Sequence, residues 1–597
     1  MVRVADFIAK RLVEAGIRHI FMVTGGGAMH LNDAFGRNPD LQCIFCHHEQ
    51  ACSIAADGYF RASDRMAVVN VTTGPGGTNA ITGVYGAWTD SIPILVVSGQ
   101  VKYETYVGKY DTNLRQLGDQ EINIISLVRH ITKYSEVVSD PTTIRHHLEK
   151  ALHLALSGRP GPVWLDVPID VQGAMVDETR LAVFTPEPPF DTTESLNRSL
   201  DELLARLATA HAPVIMLGSG IAVSQTRTEA IHLADRLGIP VVTAWNAHYL
   251  IEDDYPYYVG RPGTVGDRAG NMAVQNADLL LVLGCRLNIR QVSYNWSSFA
   301  DRAFQVMVDI DPEELNKPTL RIDLKIQADL RDFFCRIAKR SLPHSLEWPH
   351  WLAWCRERRA RYAVVKPDYY HDEPINPYVF LRELSDRLEE GAVTVCGNGS
   401  ACVISFQSFI IRKNQRLFTN SGCAAMGYDL PAAIGASLAL GKRRIVCLAG
   451  DGSLMMNFQE LQTLVAYNLP ICLFIINNDG YLSIAQTQHA YFPDSLTGFN
   501  PATGVTFPDF GKISEAFGLP FRRIRNLDAF RDGLDTMLNG QGPVVCEVIV
   551  NKDQPFSPKL ASRKREDGTM VSPRLEEMFP FLPEDEMRLN VYPVYCD

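Results

Sequence analysis

Short runs of β-branched and other apolar residues recur along the whole chain: MAVVNVTT, IPILVVSG, GPVWLDV, PVIMLG, DLLLVLG, AFQVMVDID, RIVCLAG, LPICLFIINN and PVVCEVIV. Many are apolar at successive positions and end in Gly, Asn or Asp ahead of a segment with helical spacing. A strand that is apolar on both faces is buried between two helix layers, so the pattern predicts parallel sheets in an α/β architecture. Ligands of such sheets lie beyond the carboxyl ends of the strands, which makes the residues after each run the candidates for chemistry. The opening segment MVRVADFIAKRLVEAGIRHIF sets Asp6, Lys10, Arg11 and Glu14 inside its apolar spacing. That predicts an amphipathic helix and not the uninterrupted apolar core of a signal peptide.

Two Pro-rich, acidic stretches punctuate the pattern, TPEPPFDTTES at 185–195 and KPDYYHDEPINP at 366–377. They predict three doubly wound α/β domains, over 1–180, 190–365 and 370–555, followed by a tail over 556–597 that lacks strand pattern. No internal repeat is apparent.

Composition narrows the class. With 46% hydrophobic and 21% charged residues the chain is neither disordered nor fibrous. A formal charge of -11, from 57 Lys+Arg against 68 Asp+Glu, gives no basic footprint for nucleic acid. Thirteen scattered cysteines, odd in number, are too sparse for a disulfide scaffold and fit reduced thiols. The uncharged stretch from Val68 to Thr89 is rich in Gly, Thr and Asn, unlike a membrane span. The expectation is a soluble, cytoplasmic protein. No G-x-G-x-x-G follows a strand where a nicotinamide-binding turn would need it.

The chemistry-bearing pattern is Gly450-Asp451-Gly452 after one apolar run and Asn477-Asn478 after the next, with 24 residues between Gly452 and Asn477. One Asp and one Asn at the ends of neighbouring strands can offer oxygen ligands to Mg²⁺, which completes its shell with phosphate and water. The glycines let the backbone approach a diphosphate, and Ser453 is expected to start a helix whose amides face that anion. Either turn alone would be only a turn; the joint spacing between strands argues otherwise.

GDG-x24-NN resembles the diphosphate–metal signature of thiamine diphosphate enzymes, and further segments across nearly the whole chain resemble the acetolactate synthase branch. The resemblance implies pyrimidine-binding, central and diphosphate-binding domains. It also implies Mg²⁺ held by Asp451, Asn478 and the carbonyl of Gly480, with Gly397, Asn398, Gly450, Gly452 and Ser453 along the cofactor. CHHEQACSIAADGYFRAS at 46–63 resembles the motif that makes Glu49 the catalytic glutamate. A partly desolvated carboxyl there favours the cofactor's imino tautomer, whose 4'-nitrogen removes the C2 proton. His47 and His48, with no third ligand near, are expected to shape the loop. SGCAAMGYDLPAAIGA at 421–436 resembles the segment in which Met426 bends the cofactor and the Ala424 carbonyl accepts from its 4'-amino group. In the glycine-rich segment from residue 71, Asn79 is expected near the aminopyrimidine. The Gly25-Gly26-Gly27 turn is expected to stabilise a developing alkoxide through the backbone at Gly26.

In the middle block the resemblance makes Gly218, Arg261, Thr264, Arg286, Asp309 and Asp311 candidate contacts of a structural FAD; an empty nucleotide-like domain is the alternative. Departures fall where substrate would sit. DQEINIISLVRHITK aligns with the synthases' F-Q-E segment, keeping Gln120, a catalytic candidate, and Lys133, but with Asp119 in place of an aromatic residue. CGNGSACV stands where they have G-Q-H-Q, so Gly399 and Ser400 offer less side chain. The tail resembles those of synthase-like proteins of sugar and lipopolysaccharide biosynthesis. It is expected over the active-site entrance, with Lys559, Arg563, Lys564 and Arg565 near an acceptor diphosphate or simply solvated. The expected activity is decarboxylation of a 2-keto acid, pyruvate first, and transfer of the two-carbon unit to a nucleotide-linked ketosugar or similar polar ketone. Pyruvate as acceptor, simple decarboxylation, and a non-catalytic cofactor-binding regulator are the alternatives. A homodimer or homotetramer with active sites between subunits is implied.

Overall fold

The computed structural model of the chain describes residues 1–187, 193–564, 567 and 569–593, with 563 and 564 as backbone only. Residues 188–192 of the first expected linker, and Arg565 of the tail's basic run, lie outside the described residues. The apolar runs form three six-stranded sheets. The first comprises β1 (His19–Met22), β2 (Gln42–Phe45), β3 (Val68–Val71), β4 (Leu95–Gln100), β5 (Tyr134–Val137) and β6 (Val163–Pro168), in the order β2-β1-β3-β4-β6-β5. The central sheet comprises β7 (Pro213–Leu217), β8 (Val241–Thr243), β9 (Tyr258–Gly260), β10 (Leu279–Leu283), β11 (Phe304–Asp309) and β12 (Leu324–Gln327), ordered β9-β8-β7-β10-β11-β12. The third comprises β13 (Val393–Cys396), β14 (Arg416–Phe418), β15 (Ile445–Gly450), β16 (Ile471–Asn477), β17 (Phe521–Ile524) and β18 (Val544–Ile549), ordered β14-β13-β15-β16-β18-β17.

Neighbouring strands run parallel in the first sheet, in the central sheet and from β13 to β17 in the third. Strands β3, β4, β6, β7 and β10 are buried at every position, which is why their sequences do not alternate. The doubly wound α/β class read from the sequence is the class the chain adopts. The first and third sheets share one strand order, a structural repetition with no visible counterpart in the residues. The central sheet has instead the order found in dinucleotide-binding domains.

These sheets form two compact units. One contains residues 1–189, 392–401 and 418–549, and the other 190–391, 402–417 and 550–597. Within the first unit, helices α1 (Glu49–Ser63), α2 (Pro75–Thr89) and α4 (Asp429–Ala439) meet between the first and third sheets. Helix α3 (Ser400–Ser408) follows β13. The crossing of α1 and α4 is built from small residues, including Ala51, Ala55, Ala432, Ala433 and Ala436, all wholly buried. A Cβ on Gly58 would stand 2.2 Å from the Ala432 carbonyl oxygen, and one on Gly435 would stand 1.9 Å from that of Ala55. The glycines of both motifs are therefore helix-contact positions. Gly435→Ala is expected to push the helices apart and cost about 1–3 kcal/mol, read as an earlier unfolding transition in denaturant.

The second unit buries both faces of the central sheet, with Leu233, Leu281 and Phe333 on one side and Met216, Val282, Met307 and Trp351 on the other. The described tail belongs to that second layer: Leu575 and Tyr592 are part of it. The Tyr592 ring lies 4.7 Å from that of Trp351. Asn271 and Asn276 donate to the carbonyls of Leu575 and Asn590 at 2.9 and 3.1 Å. Arg563–Lys564 pair with Met570–Val571 as a two-residue strand, and burial draws the Lys559 ammonium below its ordinary pKa. Among the described residues no helix is long and apolar enough to cross a membrane.

Candidate functional site

Strands β15 and β16 are parallel neighbours with Gly450 opposite Ile476, so Asp451 and Asn478 follow adjacent strand ends, one residue out of level. Asp451 is 2% exposed. Its carboxylate accepts the N–H of Gly452 at 2.7 Å and of Gly480 at 3.1 Å. Burial nevertheless pushes its pKa up to about 7, because desolvation penalises the charged form. Asn478 donates from Nδ2 to the Ser400 hydroxyl at 3.0 Å. Its Oδ1 is buried and has no hydrogen-bond partner among the described residues. Leaving such an acceptor unpaired costs about 1–3 kcal/mol, which a ligand would offset. The Gly480 carbonyl accepts from Leu482 at 3.1 Å and keeps a second lone pair. One carboxylate, one orphan amide oxygen and one carbonyl form a hard-oxygen set that fits Mg²⁺ completed by phosphate and water. Among the described residues no group of three or more His, Cys, Asp or Glu could hold a metal.

The helix expected after Gly452 is a single turn, Asp451–Leu454, succeeded by a 3-10 turn at Phe458–Glu460. Ser453 uses its side chain inward, donating to Asp429 Oδ2 at 2.6 Å and accepting from Gly427 at 3.0 Å. Burial raises Asp429 to about 6. Gly397 continues β13 by donating to the Leu448 carbonyl at 2.7 Å. Asn398 accepts from Gly399 at 2.8 Å and donates to the Ala424 carbonyl. That carbonyl, expected to receive a cofactor amino group, thus already has one protein donor and retains one lone pair. Ala424 has φ +54°, a left-handed conformation that a non-glycine residue holds at a cost, and it turns this carbonyl. Met426 is half-buried two residues on.

Glu49 opens α1, where His48 caps the helix by accepting from Gln50 at 3.0 Å, and His47 donates its N–H to Glu460 at 3.0 Å. The two histidines shape this turn, as expected. Glu49 is buried, and Asn79, in the second turn of α2, donates to Glu49 Oε2 at 3.0 Å. The resemblance implies Asn79 near the cofactor; the structure adds a hydrogen bond that orients the glutamate. The Gly25–Gly27 turn is held from behind. Gln172 donates to the Gly27 carbonyl at 2.7 Å, Asn32 to that of Gly25 at 3.2 Å, and Gly27 to Thr72 at 3.1 Å. Gly26, between them, faces open space. Asp119 and Gln120 are exposed, and Lys133 donates to the Ser157 carbonyl at 2.6 Å, with burial drawing its pKa down to about 8.

One buried cluster was not singled out from the sequence. Arg61 binds Asp57 at 2.7 Å and Asp90 at 2.8 Å, with all three side chains at most 8% exposed. Tyr428 donates to Asp57 at 2.6 Å, and Asp90 accepts the N–H of Gly422 at 3.0 Å. The cluster thereby fastens the segment carrying Ala424 and Met426 to α1 and α2. The Asp57–Arg61 spacing of four on an otherwise apolar helix was the available signal.

In the central domain the candidate flavin residues have protein partners. Gly218 continues β7, donating to the Leu283 carbonyl at 2.9 Å. Arg261 is 3% exposed; it pairs with Asp253 at 2.8 Å and donates to Tyr258 and to the Phe406 and Phe409 carbonyls at the end of α3. All three of its guanidinium nitrogens are engaged, which makes it a strut. Thr264 donates to the Arg290 carbonyl at 2.8 Å and accepts from Leu560 at 2.7 Å. Asp311 caps the turn Pro312–Leu315, and Asp309 accepts from the Asp311 N–H at 2.9 Å. The Arg286 carbonyl accepts from Lys317.

Comparison with known proteins bears on all three domains. Residues 2–126 match the family described as thiamine pyrophosphate enzyme, N-terminal TPP binding domain; 200–337 match its central domain and 397–548 its C-terminal TPP binding domain. The acetolactate synthase isozyme 2 large subunit of Escherichia coli is 31% identical over 555 residues, which is 92% of this chain and 95% of that protein. A probable chloroplastic acetolactate synthase 2 of Oryza sativa is 30% identical over 94% of this chain and 84% of its own. The acetolactate synthase large subunit of Lactococcus lactis is 29% identical over 94% and 95%.

Proposed function

Because the chain belongs to the thiamine pyrophosphate enzymes, as a carboligase of the acetolactate synthase type, we propose that it removes CO₂ from pyruvate and joins the two-carbon remainder to a second carbonyl compound. The observation that carries this reading is the orphan Asn478 oxygen beside buried Asp451, in the same compact unit as a Glu49 already oriented by Asn79. Thiamine diphosphate, when bound, supplies the electron sink that lets a bond next to a carbonyl break and form. Asp451, Asn478 Oδ1 and the Gly480 carbonyl would hold the Mg²⁺ that neutralises the diphosphate. Glu49 would hold a proton at Oε1, the oxygen that Asn79 leaves open. The Gly26 N–H and the Gln120 amide would donate to a developing oxyanion.

Whole-length similarity to acetolactate synthases supports pyruvate as the acceptor too. A second reading, a polar ketone such as a nucleotide-linked ketosugar, is favoured by exposed Asp119 and by open space around Gly399. We also propose a homodimer or homotetramer with active sites between copies. FAD in the central domain is favoured by its strand order. The test is incubation of the purified protein with thiamine diphosphate, Mg²⁺ and pyruvate, followed by mass spectrometry and an absorbance scan. Acetolactate formation is the expected result, and a flavin spectrum would accompany bound FAD. Slow CO₂ release accelerated by a nucleotide-ketosugar, without acetolactate, would favour the second acceptor; no CO₂ with any acceptor would remove pyruvate as donor.

A further inference from the structure

Residues 101–123 join β4 to the short helix Ile124–Val128 with only two 3-10 turns between them, and every residue from 109 to 117 is exposed. Such a segment has few apolar contacts to fix it. Two side chains within it are the opposite, each 2% exposed: Tyr106 and, alone of the two in being charged, Glu121. Its Oε2 accepts the N–H of Val107 at 2.7 Å, and its Oε1 accepts those of Leu117 at 2.5 Å and Gly118 at 2.6 Å. Its own carbonyl accepts from Gln116 at 3.1 Å. A carboxylate offers acceptors only, so three converging N–H groups suit it and no neutral isostere. The next residue is anchored from below. Gln100, at the end of β4, donates to the Ile122 carbonyl and to Asp166 Oδ2, both at 3.0 Å, and Asp166 accepts from Ser98 at 2.6 Å.

The residue between these anchors and the exposed segment is Gln120. It has φ +61°, and its carbonyl oxygen lies 1.8 Å from where a Cβ on Gly74 would stand. Gly74 caps α2, the helix whose Asn79 holds Glu49. Gln120 is thus held in a left-handed conformation against the start of that helix, and such a conformation persists only where its surroundings over-determine it. We propose that Glu121 is a positioning residue: by gathering three backbone N–H groups of the 107–118 segment it fixes where Gln120 presents its amide to substrate. This rests on the proposed function, in which Gln120 touches the substrate. The gathering itself does not depend on that function.

Glu121→Gln is the test, because whichever way the amide turns it sets an N–H against a backbone N–H. Trypsin cleavage at exposed Lys109 and Arg115 should quicken by about tenfold. With pyruvate, kcat/KM should fall by about 10- to 100-fold, as for a displaced reacting group. Thiamine diphosphate and Mg²⁺ binding, followed by protein fluorescence, should stay within twofold. Gly74→Ala displaces the Gln120 carbonyl without touching Glu121. It should give the same kinetic loss with less gain in cleavage, and Glu121→Asp, which draws the carboxylate back from the three N–H groups, takes the place of the glutamine variant if that does not fold. Unchanged trypsin cleavage in Glu121→Gln would overturn the proposal, as would faster cleavage with intact kcat/KM. Failure of the wild-type protein to bind cofactor or release CO₂ would instead overturn the functional reading, and the cleavage rates would still report on Glu121.

Discussion

Replacing Glu49 with Gln is expected to lower turnover by about 100- to 10,000-fold, the usual worth of a positioned proton-transfer group. The substitution is nearly isosteric. A glutamine can still accept from Asn79 through its oxygen, so the N-terminal turn of α1 keeps its shape. What it cannot do is hold and return a proton at Oε1. Cofactor and Mg²⁺ affinity should change little, because the oxygens proposed to hold the metal, those of Asp451, Asn478 and Gly480, follow strands of the third sheet and do not involve Glu49. Steady-state assay of CO₂ release together with cofactor binding by fluorescence checks both parts. A variant with undiminished CO₂ release would remove Glu49 from the chemistry, and one that no longer binds cofactor would make it a structural residue.

The second large effect is expected at Arg61. Its guanidinium lies between Asp57 and Asp90, all of them buried, and burial and the two carboxylates act on it in opposite directions, with the carboxylates prevailing. Arg61→Met removes the cation and leaves two carboxylates facing each other in a region nearly without water. Breaking a buried ion pair from one side costs about 3–5 kcal/mol, a large share of what holds a domain together. Because Asp90 also accepts from Gly422 and Asp57 from Tyr428, the loss should reach the segment bearing Ala424 and Met426. The expected result is a lowered unfolding midpoint in denaturant and weaker thiamine diphosphate binding, both partly restored by replacing Asp90 with Asn in the same chain. If midpoint and binding are unchanged, the cluster contributes no more than an exposed ion pair.

What the sequence alone determined were the features carried by local pattern. Uninterrupted apolar runs specify buried parallel strands because both faces of such a strand are covered. Gly and Asn after a run specify a turn at a carboxyl end, so Asp451 and the Asn477-Asn478 pair could be named from their positions relative to strands, whereas Glu49 was named only through the family resemblance of its segment. The amphipathic spacing of the first residues became the helix Val4–Glu14 for the same reason. What only the tertiary structure decided were contacts between segments far apart in the chain. No local pattern says that the first and third sheets pack through glycines on α1 and α4. Nor does any say that Asn398 meets the Ala424 carbonyl, or that Arg261 is fully engaged by Asp253 and the end of α3. Such partners are chosen by which groups burial brings together, and a buried polar group takes whatever donor or acceptor the packing supplies. The orphaned oxygen of Asn478 is the exception that joins the two levels: the spacing suggested it, and the packing left it unpaired.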